Sequence, residues 1–287
     1  MSDSKKVLAV MGSPGSGKTT VSIKLALELA RSGKNVIVVF CDPFSPVIPY
    51  VMPADTDADT SLGALLTAPG LTQTNILDAC VPISQNEYIS LLGYKSGESL
   101  MAYPKITKDK TVDFFVMLRH LADYVIIDCS AVFEADPVSI VGIETADTVL
   151  RLGTANLKGI SYYQSHIPML ADSSFRAQDH LKTISICKPG QEWEAVSQQY
   201  GGVKYRLQFI SELEKQFDEI SLFETLSSKE SAAYTAEIQK ILGGVFGFKG
   251  AVSKPGLKTA LGEASGKPKE KGKLRLKLPF GKPKGEF

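Results

Sequence analysis

Residues 12–19 read Gly12-Ser13-Pro14-Gly15-Ser16-Gly17-Lys18-Thr19, which fits the glycine-loop pattern G-x-x-x-x-G-K-[ST]. A loop of this kind turns backbone N–H groups inward around phosphate oxygens, so it needs a strand before it and a helix after it. Both are written in the flanks. Val7-Leu8-Ala9-Val10-Met11 is an apolar run suited to a buried strand, and residues 18–32 read as a helix. Val21, Leu25 and Leu29 fall on one face of that helix, and Gly33 is its stop signal. The helix directs the positive end of its dipole at the bound anion. Residues 12–19 and Thr20 are therefore the candidate phosphate cradle. Lys18 is placed to reach the β- and γ-phosphates, and the Thr19 hydroxyl to ligate Mg²⁺.

Beyond the loop, short apolar runs alternate with helical stretches as far as residue 248. Strands are predicted near 6–11, 35–41, 88–92, 124–129, 148–152, 182–187 and 203–209. Helices are predicted near 18–32, 111–122, 156–171, 191–200 and 230–242. This alternation implies an α/β fold, a mostly parallel, doubly wound sheet of about seven strands of the P-loop NTPase type. Runs such as Val125-Ile126-Ile127 suit strands covered on both faces. Residues 43–87 are rich in Pro, Asp, Thr and Ser and read as an irregular insert with one short helix near 61–67. Within it, Asp55, Asp57 and Asp59 resemble the start of a calcium loop but lack its later glycine and glutamate, so they read as a solvated acidic loop.

Composition narrows the class. The 287 residues are 44% hydrophobic, enough for a sizeable core, yet apolar runs such as 36–40 are far too short to cross a bilayer. Cys41, Cys80, Cys129 and Cys187 have no metal-like spacing and read as small core residues with reduced thiols. The expected location is the cytoplasm. The net charge of +1 conceals an asymmetry. Residues 249–287 carry eleven Lys or Arg and three acids, a net of +8, which leaves residues 1–248 at −7. The chain is thus expected to comprise a domain at 1–248 and a flexible basic tail at 249–287.

Two acids follow apolar runs at the strand ends where ligands of such sheets bind. Asp128 closes Tyr124-Val125-Ile126-Ile127-Asp128, a Walker B pattern whose carboxylate would hold Mg²⁺ opposite Thr19. Asp42 follows Val36–Cys41, where it could orient an attacking water or bind magnesium-bound water; its other reading is an Asp-Pro turn. Lys18, Asp42 and Asp128 are the candidate catalytic residues, and Thr19, Asp42 and Asp128 the candidate metal-binding ones. Arg151 and Lys158 could sense phosphate or simply flank a helix start. His120, His166 and His180 read as surface or packing residues, and Trp193 as a packing anchor. Phe114, Phe115, Leu118 and Leu121 form an apolar helical stripe that reads as core.

Taken together, the loop at 12–19, the strand ending Cys41-Asp42-Pro43, Ala122–Asp128 and Ala146-Asp147-Thr148-Val149-Leu150 resemble the ParA/MinD group of P-loop ATPases over about residues 5–242. Within it the chain looks most similar to the CpaE/TadZ-like branch, associated with assembly or polar placement of Flp-type pili and related secretion machines. The resemblance implies ATP and Mg²⁺ as cofactors, slow ATP hydrolysis and a homodimer, with Asp42 linked to hydrolysis and Asp128 to magnesium and switching. Two positions depart from the group. Ser13 stands where many members carry a lysine that crosses a dimer interface, and Ile186-Cys187-Lys188-Pro189 stands where an asparagine often reads adenine.

The end of the tail, Lys273-Leu274-Arg275-Leu276-Lys277-Leu278-Pro279-Phe280, alternates cationic and apolar residues. It could bind anionic lipid at the inner membrane face, dock on a membrane-associated pilus or secretion protein, or act only as a solubiliser. DNA contact does not need the leucines. Three other functions stay open beside the switch ATPase. A DNA-partition ATPase would use the tail on phosphates, and a degenerate scaffold would bind nucleotide without turnover. A small-molecule or nucleotide kinase would want an arginine-rich lid, whereas Arg119, Arg151, Arg176 and Arg206 form no cluster in sequence.

Overall fold

The computed structural model describes residues 5–52, 61–97 and 103–248. Eight strands form one sheet: β1 (Val7–Gly12), β2 (Val36–Phe40), β3 (Val81–Ile83), β4 (Asn86–Gly93), β5 (Tyr124–Asp128), β6 (Thr148–Thr154), β7 (Leu181–Cys187) and β8 (Tyr205–Gln208). Their order is β3-β4-β2-β5-β1-β6-β7-β8. All neighbours pair in parallel except β3 and β4. The eighth strand, beyond the seven that the pattern predicts, is the antiparallel edge strand β3. It spans only three residues and carries Pro82, which an edge tolerates because one side needs no donor.

Side-chain alternation along these strands explains the two-sided burial. In β1, Leu8 and Val10 face one layer while Val7, Ala9 and Met11 face the other. The first layer contains α1 (Lys18–Ala30), α9 (Ser211–Asp218) and α10 (Ser231–Phe246), which contribute Leu25, Leu29, Leu213, Ile238 and Ile241 to its core. The second contains α3 (Leu62–Thr67), α4 (Gln73–Ala79), α5 (Lys108–Leu121) and α6 (Pro137–Thr145). Phe114, Phe115 and Leu118 of α5 are buried there, as their stripe predicts. A smaller cluster joins Tyr163 of α7 (Leu157–His166) to Ile184 and to Val196 of α8 (Trp193–Gln199).

The segment read as an irregular insert, 43–87, is more ordered than its composition suggests. Its described residues carry α2 (Ile48–Val51), α3, α4 and β3. Ser61 and Thr72 accept hydrogen bonds from the N–H groups of Ala64 and Asn75, so side-chain caps start both α3, the short helix expected near 61–67, and α4, which hydrophobic periodicity does not reveal. The acidic triplet Asp55, Asp57, Asp59 and the basic tail 249–287 lie outside the described residues.

Strands β2 to β5 lie on one side of β1 and β6 to β8 on the other. Open sheets bind ligands in the crevice where the strand order reverses, outside the carboxyl ends. The glycine loop leaves β1 at that point. The opposite edge is tied down by one acid: Asp147 accepts from the N–H groups of Lys6 and Val7 at 2.7 and 2.9 Å and from both Arg119 terminal nitrogens.

Candidate functional site

The loop closes tightly on its own backbone. A Cβ on Gly12 would lie 2.3 Å from the Leu152 carbonyl oxygen of β6, so only glycine allows the loop to leave β1 this close to its neighbour. Gly17 has φ 78° immediately before α1, a left-handed turn that starts the helix without a side-chain cap. The first N–H groups of α1 thereby stay open to an anion. The Ser16 N–H donates to the Ser13 carbonyl at 3.1 Å, and Lys18 Nζ donates to the same oxygen at 3.3 Å. Pro14 and Gly15 are exposed at the tip, whereas Ser13 and Ser16 are buried. The hydroxyls of Ser13 and Ser16 find no hydrogen-bond partner among the described residues. Buried polar groups without partners are uncommon and call for a ligand or water. Ser185 of β7 braces the loop from beneath, donating its hydroxyl to the Ser16 carbonyl at 2.6 Å.

Asp128 stands across from the first turn of α1 because β1 and β5 pair in register, Val10 opposite Asp128. The Thr19 hydroxyl donates to Asp128 Oδ2 at 2.6 Å. The other carboxylate oxygen, Oδ1, is buried with no partner among the described residues. Burial pushes the Asp128 pKa up to about 6, against the Lys18 charge and the Thr19 hydrogen bond, which favour the carboxylate. Burial lowers the Lys18 pKa from its ordinary value, opposed by Asp128 and Asp42. A hydroxyl, a carboxylate with an orphaned oxygen and a lysine thus converge beside an anion-binding loop. Hard oxygen donors of this kind fit Mg²⁺ held jointly with phosphate oxygens.

Asp42 follows β2, whose end is tied to β5 by the Cys41 N–H donating to the Asp128 carbonyl at 2.9 Å. Its Oδ1 accepts from the N–H groups of Phe44 and Ser45 at 2.9 and 3.2 Å. The structure therefore makes the Asp-Pro turn and also sets Asp42 on the same edge as Asp128, with both charges acting on Lys18. Thr20 lines a cavity of about 300 Å³ next to the loop, with Gly15, Ser16, Val21, Ile186, Leu213 and Phe217 among its walls. Ile186 has φ 52°, a strained value for a β-branched residue, where β7 bulges against β8.

Other candidates lie away from this constellation. Arg151 is buried, donates to His180 Nδ1 at 2.7 Å and to the Ala177 carbonyl at 3.3 Å, and stacks over Tyr163, so phosphate sensing by Arg151 is corrected to a packing role. Burial lowers the His180 pKa to about 4, and its ring is neutral near pH 7. Lys158 is exposed on the first turn of α7. Arg119 pairs with Asp147, Arg176 donates to the Glu144 and Ala146 carbonyls, and Arg206 lies 4.6 Å over the Trp193 ring. His166 acquires an acid partner that no sequence spacing reveals, Glu134 at 3.3 Å. Beside it the Tyr162 hydroxyl donates to the Ala131 carbonyl, joining α7 to the loop after Asp128.

Comparison with known proteins follows the same lines. A family profile described as AAA domain matches residues 5–174. No curated protein matches the chain. Among solved structures, a ParA family ATPase from Chlorobium tepidum TLS superposes with a TM-score of 0.66 at 14% identity, covering 82% of this chain and 97% of its own. The septum site-determining protein MinD from Pyrococcus horikoshii OT3, complexed with Mg-ADP, gives 0.63 at 16% identity, covering 82% and 95%. An ATP complex of a McdA variant from Cyanothece gives 0.58 at 17% identity, covering 87% and 100%. At these identities the likeness is one of fold.

Proposed function

The chain belongs to the AAA domain family, and from that premise we propose that it is a Mg²⁺-dependent, ATP-binding switch protein of the ParA/MinD type with slow ATPase activity. The observation that carries the reading is the Thr19–Asp128 contact of 2.6 Å beside Lys18, with Asp128 Oδ1 and the Ser13 and Ser16 hydroxyls buried and unpartnered around it. Lys18 and the loop N–H groups bind the phosphates. Thr19 and Asp128 would hold the metal ion, which would supply charge neutralisation to the phosphates. Asp42 orients the attacking water from the β2 side. Slow turnover is expected because Ser13 offers no second cation to the γ-phosphate, and charge stabilisation dominates phosphoryl transfer.

The switch reading draws support from the loops that follow Asp42 and Asp128. Both begin at the phosphate end, and the second is joined to α7 through Ala131 and Tyr162. Ordering of such loops by γ-phosphate is a common basis for switching. The kinase alternative weakens because each of Arg119, Arg151, Arg176 and Arg206 is engaged away from the loop. At the finer level, we assign the chain to the CpaE/TadZ-like branch, acting at a pilus or secretion machine on the inner membrane face as a possible homodimer. The divergent segment at 43–105 is what supports that branch. The test is calorimetry with Mg-ATP together with phosphate release and light scattering, with and without anionic liposomes. Saturable binding, slow turnover and an ATP- or lipid-dependent mass increase are expected. Absence of ATP binding overturns the proposal, and binding without turnover leaves a nucleotide-binding scaffold in its place.

A further inference from the structure

Lys24 is 5% exposed, and among the described residues no carboxylate stands at ion-pair distance from it. Its ammonium donates to Gln216 Oε1 at 2.6 Å, to the Leu222 carbonyl at 2.6 Å and to the Glu224 carbonyl at 2.8 Å. Three donors meet three acceptors, so the group is saturated. A buried ammonium is costly to desolvate, and here burial drives the Lys24 pKa down to about 8. A methionine-like side chain would fill the same helix position without that cost, so the charge calls for a reason.

Its position supplies one. On α1, Lys24 shares a face with Thr20 and Val21, four and three residues earlier, and both line the apolar cavity beside the glycine loop. On α9, its acceptor Gln216 shares a face with Leu213, one turn earlier, and Leu213 and Phe217 line the cavity from the opposite side. Phe217 is 62% exposed, so packing on that side leaves the helix weakly held. The start of α9 is fastened separately, by Glu212 accepting from Ser227, Ser228 and Ser231. The Lys24–Gln216 bond is the direct polar tie between the helix that carries the phosphate loop and the helix that walls the cavity.

We propose that Lys24 is a positioning residue that sets the spacing between α1 and α9, and thereby tunes how tightly the base end of a bound nucleotide is gripped without contacting its phosphates. The inference rests on the nucleotide-binding reading above. The experiment compares Mg-ATP with Mg-tripolyphosphate, which has phosphates and no base, by calorimetry on the full chain. Lys24→Met weakens ATP binding about tenfold, the size expected for losing hydrogen bonds to a charged group, and leaves tripolyphosphate within about twofold. Gln216→Leu keeps the two carbonyl bonds and lowers ATP affinity about threefold in the same selective way. If Lys24→Met does not fold, Gln216→Leu decides alone. Equal loss of both ligands, or unchanged ATP affinity in a folded variant, overturns the proposal. Wild-type protein that binds neither ligand removes the nucleotide reading itself, an outcome distinct from either.

Discussion

At one end of the crevice beside β1, the loop at 12–19 and the two aspartates Asp42 and Asp128 supply the polar groups; at the other, the apolar cavity takes its walls from α1, β8, α9, α10 and the bulge at Ile186. The first end is stiff. Gly12 lies against β6, Ser185 holds the Ser16 carbonyl, and Thr19 and Asp128 lock to each other. The second end has an exposed Phe217, a strained Ile186 and a single lysine tie. The difference teaches where each kind of selectivity resides. Phosphate recognition depends on short-range backbone geometry, whereas recognition of whatever lies beyond the phosphates depends on how distant segments are spaced.

The most severe way to break the comparison is Lys18→Ala. It should weaken Mg-ATP and Mg-tripolyphosphate alike, by about 1,000-fold or about 4 kcal/mol, because the loss falls on the shared phosphate end. Retention of ATP affinity in calorimetry would remove the phosphate end altogether.

A pH titration sharpens the contrast next. Asp128 and Asp136 are buried at the stiff end, and burial pushes both pKa values from 3.8 up to about 6. The folded state therefore holds protons more tightly than the unfolded chain between those values. Each carboxylate lowers the stability of the ligand-free protein by on the order of 3 kcal/mol as pH rises from about 4 through 6, while His180, held down to about 4 from 6.5, raises it by a similar amount over the same window, so the net fall is about that of one carboxylate. Asp136 caps α6, accepting from the Val138 and Ser139 N–H groups at 3.2 and 2.8 Å. Asp136→Asn retains an acceptor and removes the charge, which leaves Asp128 and His180 nearly cancelling, so urea midpoints across this window should become almost independent of pH. An unchanged slope would mean that Asp136 does not titrate there.

Phe217→Ala should have the smallest effect of these three, a loss of about fivefold in ATP affinity with tripolyphosphate unchanged, as expected for trimming one aromatic wall of a base site. Its exposure means the truncation should barely alter the melting temperature. Equal weakening of both ligands would show that the two ends are not separable.

How much of this was legible in the sequence follows the same division. The phosphate end is local: a contiguous loop, an apolar run ending at Asp128 and another preceding Asp42 can be read off directly. The central parallel strands are equally plain because two-sided burial demands unbroken apolar runs. The rest depends on non-local partners. β3 is too short for its alternation to register. α6 is apolar all round and shows no amphipathic stripe, although Asp136-Pro137 is a cap and first-turn pair that could have exposed it. The cavity walls come from segments about 190 residues apart, and a lysine inside a helix ordinarily signals a solvent face.

The Lys24 tie also has a consequence for synthesis. Its acceptors Leu222 and Glu224 lie 198 and 200 residues downstream. At about 5–20 residues per second, the glycine loop leaves the ribosome roughly 10–40 s before the partners that anchor its own helix exist. During that interval α1 carries an ammonium with nowhere to be buried, so the face that will meet α9 and α10 stays wet. The most recognisable motif in the chain is made first and completed last.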